Sequence, residues 1–259
     1  MAWWGKLLGG TVGLMLGGPL GALLGASIGH RLDARRKGTS KGRFLPGTGA
    51  ERTKAAFFTA TFSVMGHLAK ADGQVSSQEI EAATAVMNHM SFNEEQRRAA
   101  IDLFERGKAA DFPLEEVLEQ FRAECHRQTN LLRMFLEIQV QAALADGRLD
   151  AAENSILLSV ADVLGFDASQ VDRLVEFMRG TQNNVVDPEQ SLDDAYKILG
   201  VKPSADDAEI KTAYRRLMSR HHPDKLVAKG LPEEMMELAT EKTREIQKAW
   251  ERIHTFRNS

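Results

Sequence analysis

Cysteine is almost absent from this chain, since Cys125 is the one cysteine among 259 residues. A single thiol makes no disulfide within the chain, and it is too few for a structural zinc site built from cysteines. Such scarcity is typical of proteins that work in a reducing compartment. We expect Cys125 to be a small buried side chain.

An excess of charge of either sign is also missing, because 33 basic and 36 acidic residues give a formal net charge of −3. Basic residues cluster in residues 31–43 and on one face of a C-terminal helix. This distribution indicates no nucleic-acid partner. The chain also lacks a serine or cysteine nucleophile within a supporting motif, so we expect a protein that is not an enzyme.

Proline and strand-like runs are scarce in the middle of the chain, where Pro113 alone interrupts residues 51–180. Repeated helical periodicity there predicts about seven helices. The predicted fold class is all-α, with an N-terminal transmembrane helix, a central bundle and a C-terminal helical hairpin. The predicted boundaries are a tail (1–6), the membrane span (7–29), a basic juxtamembrane linker (30–50), the bundle (51–180), a second linker (181–190) and the C-terminal domain (191–259).

Residues 7–27 form an uncharged run rich in leucine and glycine. At about 1.5 Å per residue, the run just spans a hydrocarbon core of about 30 Å. We predict an uncleaved anchor rather than a signal peptide, because no clear small-x-small cleavage site precedes the charges. Only Lys6 precedes the run, whereas several basic residues follow it. The positive-inside rule therefore predicts an N-terminus outside the cytoplasm and cytoplasmic C-terminal domains.

Glycines recur at every fourth position of this run and form a groove of small side chains along the helix. The groove allows close approach of a second helix, so we predict a homodimer through the membrane helix. A monomeric span whose glycines face lipid is the alternative. The series consists of Gly9, Gly13, Gly17, Gly21, Gly25 and Gly29.

Two amphipathic helices are predicted near the C-terminus. Asp206 and Glu209 form a capping box at the start of the first, and Pro223 ends it. We expect their apolar stripes to bury each other in an antiparallel hairpin, with His222 and Asp224 at its exposed tip. The stripes are Ile210, Ala213, Tyr214 and Leu217 on the first helix, and Met235, Ala239, Ile246, Trp250 and Ile253 on the second.

His222-Pro223-Asp224, with YKILGV at 196–201 and EIQKAWERI at 245–253, resembles the J-domain of the DnaJ co-chaperone family. The resemblance implies docking on a DnaK-type chaperone and stimulation of its ATP hydrolysis. A catalytic His/Asp pair or a metal site at His221-His222 lacks supporting residues. Thr243 and Trp250 replace a usual phenylalanine and tyrosine, which puts the core packing in doubt. The implied docking residues are Lys211, Arg215, Arg216, His222, Pro223 and Asp224.

An internal repeat marks the middle of the chain, where residues 69–79 and 143–153 both read Ala-x-Ala-Asp-Gly-x-apolar-x-x-x-Glu. The repeat resembles the all-helical TerB-like domain. Helix caps explain much of the pattern, with Gly73 and Gly147 as C-caps and with Asp150–Glu153 and Ser76–Glu79 as capping boxes. The alternative is a site for a divalent cation or a basic partner, although the loops lack the ligand pattern of an EF-hand. Its residues would be Asp72, Glu79, Asp146 and Glu153.

Over essentially its whole length the chain resembles the DjlA type of membrane-anchored DnaJ-like co-chaperones. The resemblance implies a bacterial inner-membrane protein that recruits a cytosolic DnaK-type chaperone and needs no cofactor. Two alternatives remain. One is a membrane-bound metal or stress sensor with the J-domain as its output, and the other is a scaffold whose J-domain is inactive.

Overall fold

The computed structural model describes residues 17–29, 49–71, 73, 77–88, 92–125, 128–145, 147–182 and 188–258. Every regular element within these ranges is a helix, as predicted. The elements are α1 (Gly18–Gly29), α2 (Gly49–Leu68), α3 (Ser77–Asn88), α4 (Glu94–Gly107), α5 (Leu114–Glu124), α6 (Thr129–Ala143), α7 (Ala151–Leu164), α8 (Ala168–Gln182), α9 (Pro188–Leu199), α10 (Asp207–His221), α11 (Pro223–Ala228), a 3₁₀ helix (Glu233–Met235) and α12 (Met236–Arg257).

Helix α2 lies at the centre of a bundle formed by α2 to α8, which we call the central bundle. It packs against α4, α5, α6 and α7. Every residue from 55 to 66 is buried, as expected for a helix that is surrounded on all sides. Phe57, Phe58 and Phe62 are fully buried, and Phe58 packs edge-to-face on Phe62 with 5.1 Å between ring centroids. These aromatic residues therefore form part of the core.

Helices α2 and α4 cross in backbone contact at two glycines. A Cβ atom added to Gly66 would lie 2.0 Å from the carbonyl oxygen of Phe104. A Cβ atom on Gly107 would lie 1.8 Å from the carbonyl oxygen of Ser63. No side chain fits at those distances, so both positions require glycine.

Helix α1 comprises the second half of the predicted membrane span, and it packs on α2, α4 and α5. Leu20 and Leu24 are fully buried there. The side chain of Gln120 accepts a hydrogen bond from Leu20 N and donates one to the carbonyl oxygen of Gly17, both at 2.9 Å. Residues 1–16, with Gly9 and Gly13, lie outside the described residues. Among the helices described, none combines the length and the apolar character needed to cross a membrane.

Helices α9, α10 and α12, with α11 and the 3₁₀ helix, form a unit that we call the C-terminal unit. The predicted capping box is confirmed, because Asp206 accepts from Glu209 N at 2.7 Å and Glu209 accepts from Asp206 N at 3.1 Å. Trp250 stacks on Tyr214 with 4.9 Å between ring centroids. The tryptophan therefore takes part in the packing between α10 and α12. Arg257 closes the unit through hydrogen bonds to Tyr196, Pro203, Ala205 and Asp207.

The predicted linker at 181–190 is partly helical. Helix α8 continues to Gln182 and α9 begins at Pro188, so residues 181–182 and 188–190 belong to helices. Proline suits the first position of a helix because its missing N–H has no helical acceptor there. This explains why α9 begins before the predicted boundary at residue 191. Residues 183–187 lie outside the described residues.

The two repeat loops have the same turn but not the predicted C-caps. Helices α2 and α6 end at Leu68 and Ala143, several residues before Gly73 and Gly147. Each glycine instead closes a later turn, with its N–H donating to the carbonyl oxygen of the third residue before it. Both have positive φ, at 91° and 81°, so the expectation of left-handed geometry is confirmed. The prediction of helix C-caps is wrong, because the helices stop earlier.

Candidate functional site

His222, Pro223 and Asp224 lie where α10 ends. The His222 backbone has φ −59° and ψ 121°, which is outside the helical region, because Pro223 disfavours helical geometry in the residue before it. The side chains of His222 and Asp224 are exposed, and Pro223 is half-buried. The predicted exposed tip is therefore present.

The tip continues into a short helix rather than a plain loop. Pro223 opens α11, and the carbonyl oxygen of His222 accepts from the N–H groups of Lys225 and Leu226, both at 3.1 Å. The Lys225 ammonium donates to the hydroxyl of Ser219 on α10 at 2.7 Å. These bonds fix the direction in which the tripeptide leaves α10.

The basic face of α10 is exposed from Lys211 to Arg216. Ile210, Ala213 and Leu217 are buried, whereas Lys211, Arg215 and Arg216 are exposed. The structure therefore presents the six predicted docking residues on α10 and at the adjoining tip. A surface of this kind attracts an acidic protein partner.

The segment after the tip, residues 225–242, packs on the central bundle, and we call it the tip segment. Leu226, Leu231, Met235, Leu238 and Ala239 belong to the same buried cluster as the bundle core. The sequence prediction assigned Met235 and Ala239 to the stripe that faces α10. That assignment is wrong, because these two residues pack with the bundle instead. Only the later part of the stripe (Ile246, Trp250 and Ile253) packs with α10.

Further contacts hold the tip segment against the bundle. Gly230 has φ +105°, and a Cβ atom there would lie 2.8 Å from Thr53 Cγ2 of α2. The ammonium of Lys54 lies 3.9 Å from Glu233 Oε1. The buried Lys242 donates to Met178 Sδ of α8 at 3.3 Å. The C-terminal unit is thus joined to the bundle close to the docking tip.

A buried acidic and basic pair lies at this boundary. Glu137 Oε2 of α6 is 3.4 Å from His221 Nδ1 of α10, and both side chains are buried. Burial lowers the pKa of His221, an effect that Glu137 opposes and that Arg220, Lys242 and Arg133 reinforce. The histidine beside the docking tripeptide is therefore a structural contact to the bundle.

Two arginines close to this pair are half-buried. Burial lowers the pKa of Arg220 and of Arg133, with further lowering by mutual repulsion with neighbouring arginines. Arg220, Arg133 and Glu137 were not among the site residues predicted from the sequence. The periodicity of α6 marks its buried face but not which other helix covers it.

The predicted cation residues are largely outside the described part. Asp72, Asp146 and the side chain of Glu79 lie outside the described part of the structure. Glu153 is buried and accepts a hydrogen bond from Asp150 N at 3.1 Å, while Asp150 accepts from Glu153 N at 2.9 Å. This confirms the second predicted capping box. Within the described ranges, no group of three or more His, Cys, Asp or Glu residues is arranged to hold a metal ion.

Comparison with known proteins covers all three regions. The family model for the tellurite resistance protein TerB matches residues 58–176, and that for the DnaJ domain matches residues 194–255. The model for the co-chaperone DjlA transmembrane domain matches residues 1–44. The Co-chaperone protein DjlA of Shewanella oneidensis is 45% identical over 264 residues, which cover 99% of this chain and 99% of that protein.

The chain belongs to the DjlA co-chaperone family. Its relatives in Coxiella burnetii and Escherichia coli O157:H7 are each 44% identical and cover 100% and 98% of this chain. No solved structure matches the chain significantly. The central bundle is therefore the TerB domain and the C-terminal unit is the J-domain. Family membership implies a membrane anchor and a DnaK-type chaperone as the partner.

Proposed function

We propose that this protein recruits a cytosolic DnaK-type chaperone to the bacterial inner membrane and stimulates its ATP hydrolysis there. The observation that carries the proposal is the exposed tripeptide His222-Pro223-Asp224 at the end of a basic helix, in the order and spacing of a J-domain. The protein performs no hydrolysis itself in this account. It binds one conformation of the partner more tightly and so shifts the partner's populations.

Each part of the docking surface has its own task. Lys211, Arg215 and Arg216 provide positive charge that steers an acidic partner surface and raises the association rate. The tripeptide supplies the specific contact, and α11 sets its direction. Coulombic steering weakens with salt, so stimulation is expected to decline as ionic strength rises.

Tethering to the membrane raises the local concentration of the docking surface. We propose a single-pass anchor at residues 7–29, with the N-terminus outside the cytoplasm and residues 51–259 inside. Insertion of residues 18–29 requires α1 to leave the TerB domain, on which it packs in this structure. Anchoring confines recruitment to a thin layer near the bilayer, so modest intrinsic affinity suffices there. Attaching a small label to a cysteine introduced at Ala2 in intact cells tests this orientation, because a cytoplasmic N-terminus would stay unlabelled by an impermeant reagent.

The glycine series supports a proposed homodimer through the anchor. Gly21 is buried against the TerB domain in this structure, so the proposed dimer requires that face of α1 to leave the domain. Crosslinking of the full chain in membranes, with Gly17→Leu and Gly21→Leu variants, tests the proposal. An unchanged dimer in both variants would reject the glycine series as the interface.

The direct test is the steady-state ATPase activity of a DnaK-type chaperone mixed with the full chain in detergent or nanodiscs. The full chain is used because α1 packs on the TerB domain. We expect stimulation by the wild type and none by His222→Gln, while circular dichroism shows the same helical content for both. Absence of stimulation by the folded wild type would overturn the proposal.

A further inference from the structure

A cluster of arginines crosses the boundary between the TerB domain and the J-domain. Helices α6 and α10 pack together where Glu137 meets His221. Arg133 lies one turn before Glu137 on α6, and Arg220 is the neighbour of His221 on α10. Arg133 is within electrostatic reach of Arg173 on α8 and of Arg216 and Arg220 on α10.

None of these arginines forms an ion pair with another residue in the described ranges. Within the described ranges, Arg173, Arg216 and Arg220 form no side-chain hydrogen bond or ion pair. Arg133 lies over the ring of Phe166, with 5.4 Å from its guanidinium carbon to the ring centroid. The buried Glu137 attracts Arg133 and Arg220, and the exposed Asp167 attracts Arg173.

Placing like charges together at a partly buried boundary is unfavourable. Burial and mutual repulsion lower the pKa values of Arg133 and Arg220. Glu137 is a single buried carboxylate beside the two half-buried arginines, Arg133 and Arg220, and the guanidinium groups of Arg173 and Arg216 are exposed. The exposed guanidinium groups of the cluster can therefore bind an acidic ligand, because the donors of a planar guanidinium match the geometry of a carboxylate.

We infer that the acidic surface that docks on α10 also contacts Arg133 and Arg173, so that the TerB domain forms part of the chaperone-docking site. This inference rests on the proposed co-chaperone function. The occupant is an acidic protein surface, because the cluster is continuous with the exposed basic face through Arg216. Anionic lipid is the competing occupant, and the experiment below separates the two.

The fixed contact between the domains makes this extension possible. The tip segment is buried in the TerB core through Leu226 and Leu231, so Arg133 and Arg173 keep a constant position relative to α10. If the J-domain moved freely on a tether, the charges of the TerB domain would not form one docking surface with those of α10. The TerB domain then contributes to affinity and to the association rate, while the tripeptide governs the stimulated rate.

The test is a titration of a DnaK-type chaperone with the full chain and with Arg173→Gln, Arg133→Gln and the double variant. Loss of two partly exposed charge pairs is expected to raise the concentration for half-maximal ATPase stimulation by about fivefold in the double variant. The maximal rate should stay unchanged and the salt dependence should become weaker. Arg173 is exposed, so its variant reports on docking even if Arg133→Gln disturbs folding.

Arg98→Gln is the matched control, because Arg98 is an exposed arginine of α4 outside the cluster. It should leave the titration unchanged. Equal titration curves for wild type and Arg173→Gln at low salt would overturn the inference, whereas loss of stimulation by the wild type would overturn the proposed function. A defect of Arg173→Gln limited to binding vesicles of phosphatidylglycerol would also overturn it, in favour of lipid.

Discussion

Glu137 of the TerB domain and His221 of the J-domain face each other across the domain boundary, with 3.4 Å between Glu137 Oε2 and His221 Nδ1. Both side chains are buried, so water reaches the carboxylate and the imidazole only if the two domains separate. His221 directly precedes the docking tripeptide. The pair thus connects the functional tip to a helix of the other domain.

This pair predicts a loss of stability on acidification. Because burial lowers the pKa of His221, the folded state binds fewer protons than the unfolded state as the pH falls below the ordinary value of about 6.5. The stabilisation is complete above that value and is lost as the pH falls toward the folded pKa. We expect the Tm of the wild type to fall in this range and that of His221→Asn to fall less.

The control for this measurement is a histidine outside the domain boundary. His254→Asn changes an exposed histidine of α12, and its Tm should depend on pH as steeply as that of the wild type. Burial also lowers the pKa of His67 in the TerB domain, so part of the slope remains in every variant. Identical slopes for wild type and His221→Asn would contradict the account of the pair.

Substitution of Leu231 tests how much the packing of the tip segment stabilises the folded chain. It is fully buried in the cluster shared with the TerB core. We expect Leu231→Ala to lower the free energy of unfolding by about 2–5 kcal/mol, the usual cost of a buried leucine. Chemical denaturation gives this value. Met236→Ala, at a nearby exposed position, should cost far less, and an equal small effect for both variants would mean that the segment is not packed.

Substitution of Gly66 tests the close backbone contact where α2 and α4 cross. We expect Gly66→Ala to lower the free energy of unfolding by about 1–3 kcal/mol or more, because the added Cβ meets the Phe104 carbonyl and the helices must separate. Gly49→Ala is the control, since an added Cβ there meets no atom within 4 Å. Equal melting temperatures for the two variants would contradict the close crossing.

Substitution of Gln120 tests how α1 is attached to the TerB domain. Gln120→Ala removes two hydrogen bonds to Gly17 and Leu20, each worth about 1 kcal/mol. Hydrogen–deuterium exchange of residues 18–29 should become faster in this variant and stay unchanged in Glu119→Ala, whose side chain is exposed. Unaltered exchange in Gln120→Ala would show that other contacts hold α1.

Local features were predictable from the sequence because their partners lie within a few residues. The capping boxes of Asp206 and Asp150 and the helix end before Pro223 depend on neighbours three residues away or fewer. The tripeptide was recognisable because its flanking motifs lie at fixed spacing. The turns at Gly73 and Gly147 were only partly predicted, since a left-handed glycine does not tell where the preceding helix ends.

Contacts between domains were not predictable in the same way. Helical periodicity shows that Met235 and Ala239 are buried, but not that their partner is the TerB core instead of α10. Nothing local marks Glu137 as the acidic neighbour of His221, which lies 84 positions later. Arg133 and Arg173 also look like ordinary surface residues until the packing of α6 on α8 and α10 brings Arg133 close to Arg173 and to the arginines of α10.

The most direct measurement asks whether the docked arrangement of the two domains is the active one. Cysteines replace Lys54 and Glu233, whose charged groups lie 3.9 Å apart, and a short bismaleimide then joins them. The native thiol, Cys125, is fully buried and should not react. The account predicts full stimulation of a DnaK-type chaperone by the crosslinked chain, abolished by His222→Gln. A crosslinked chain that forms in good yield but no longer stimulates the chaperone would contradict it.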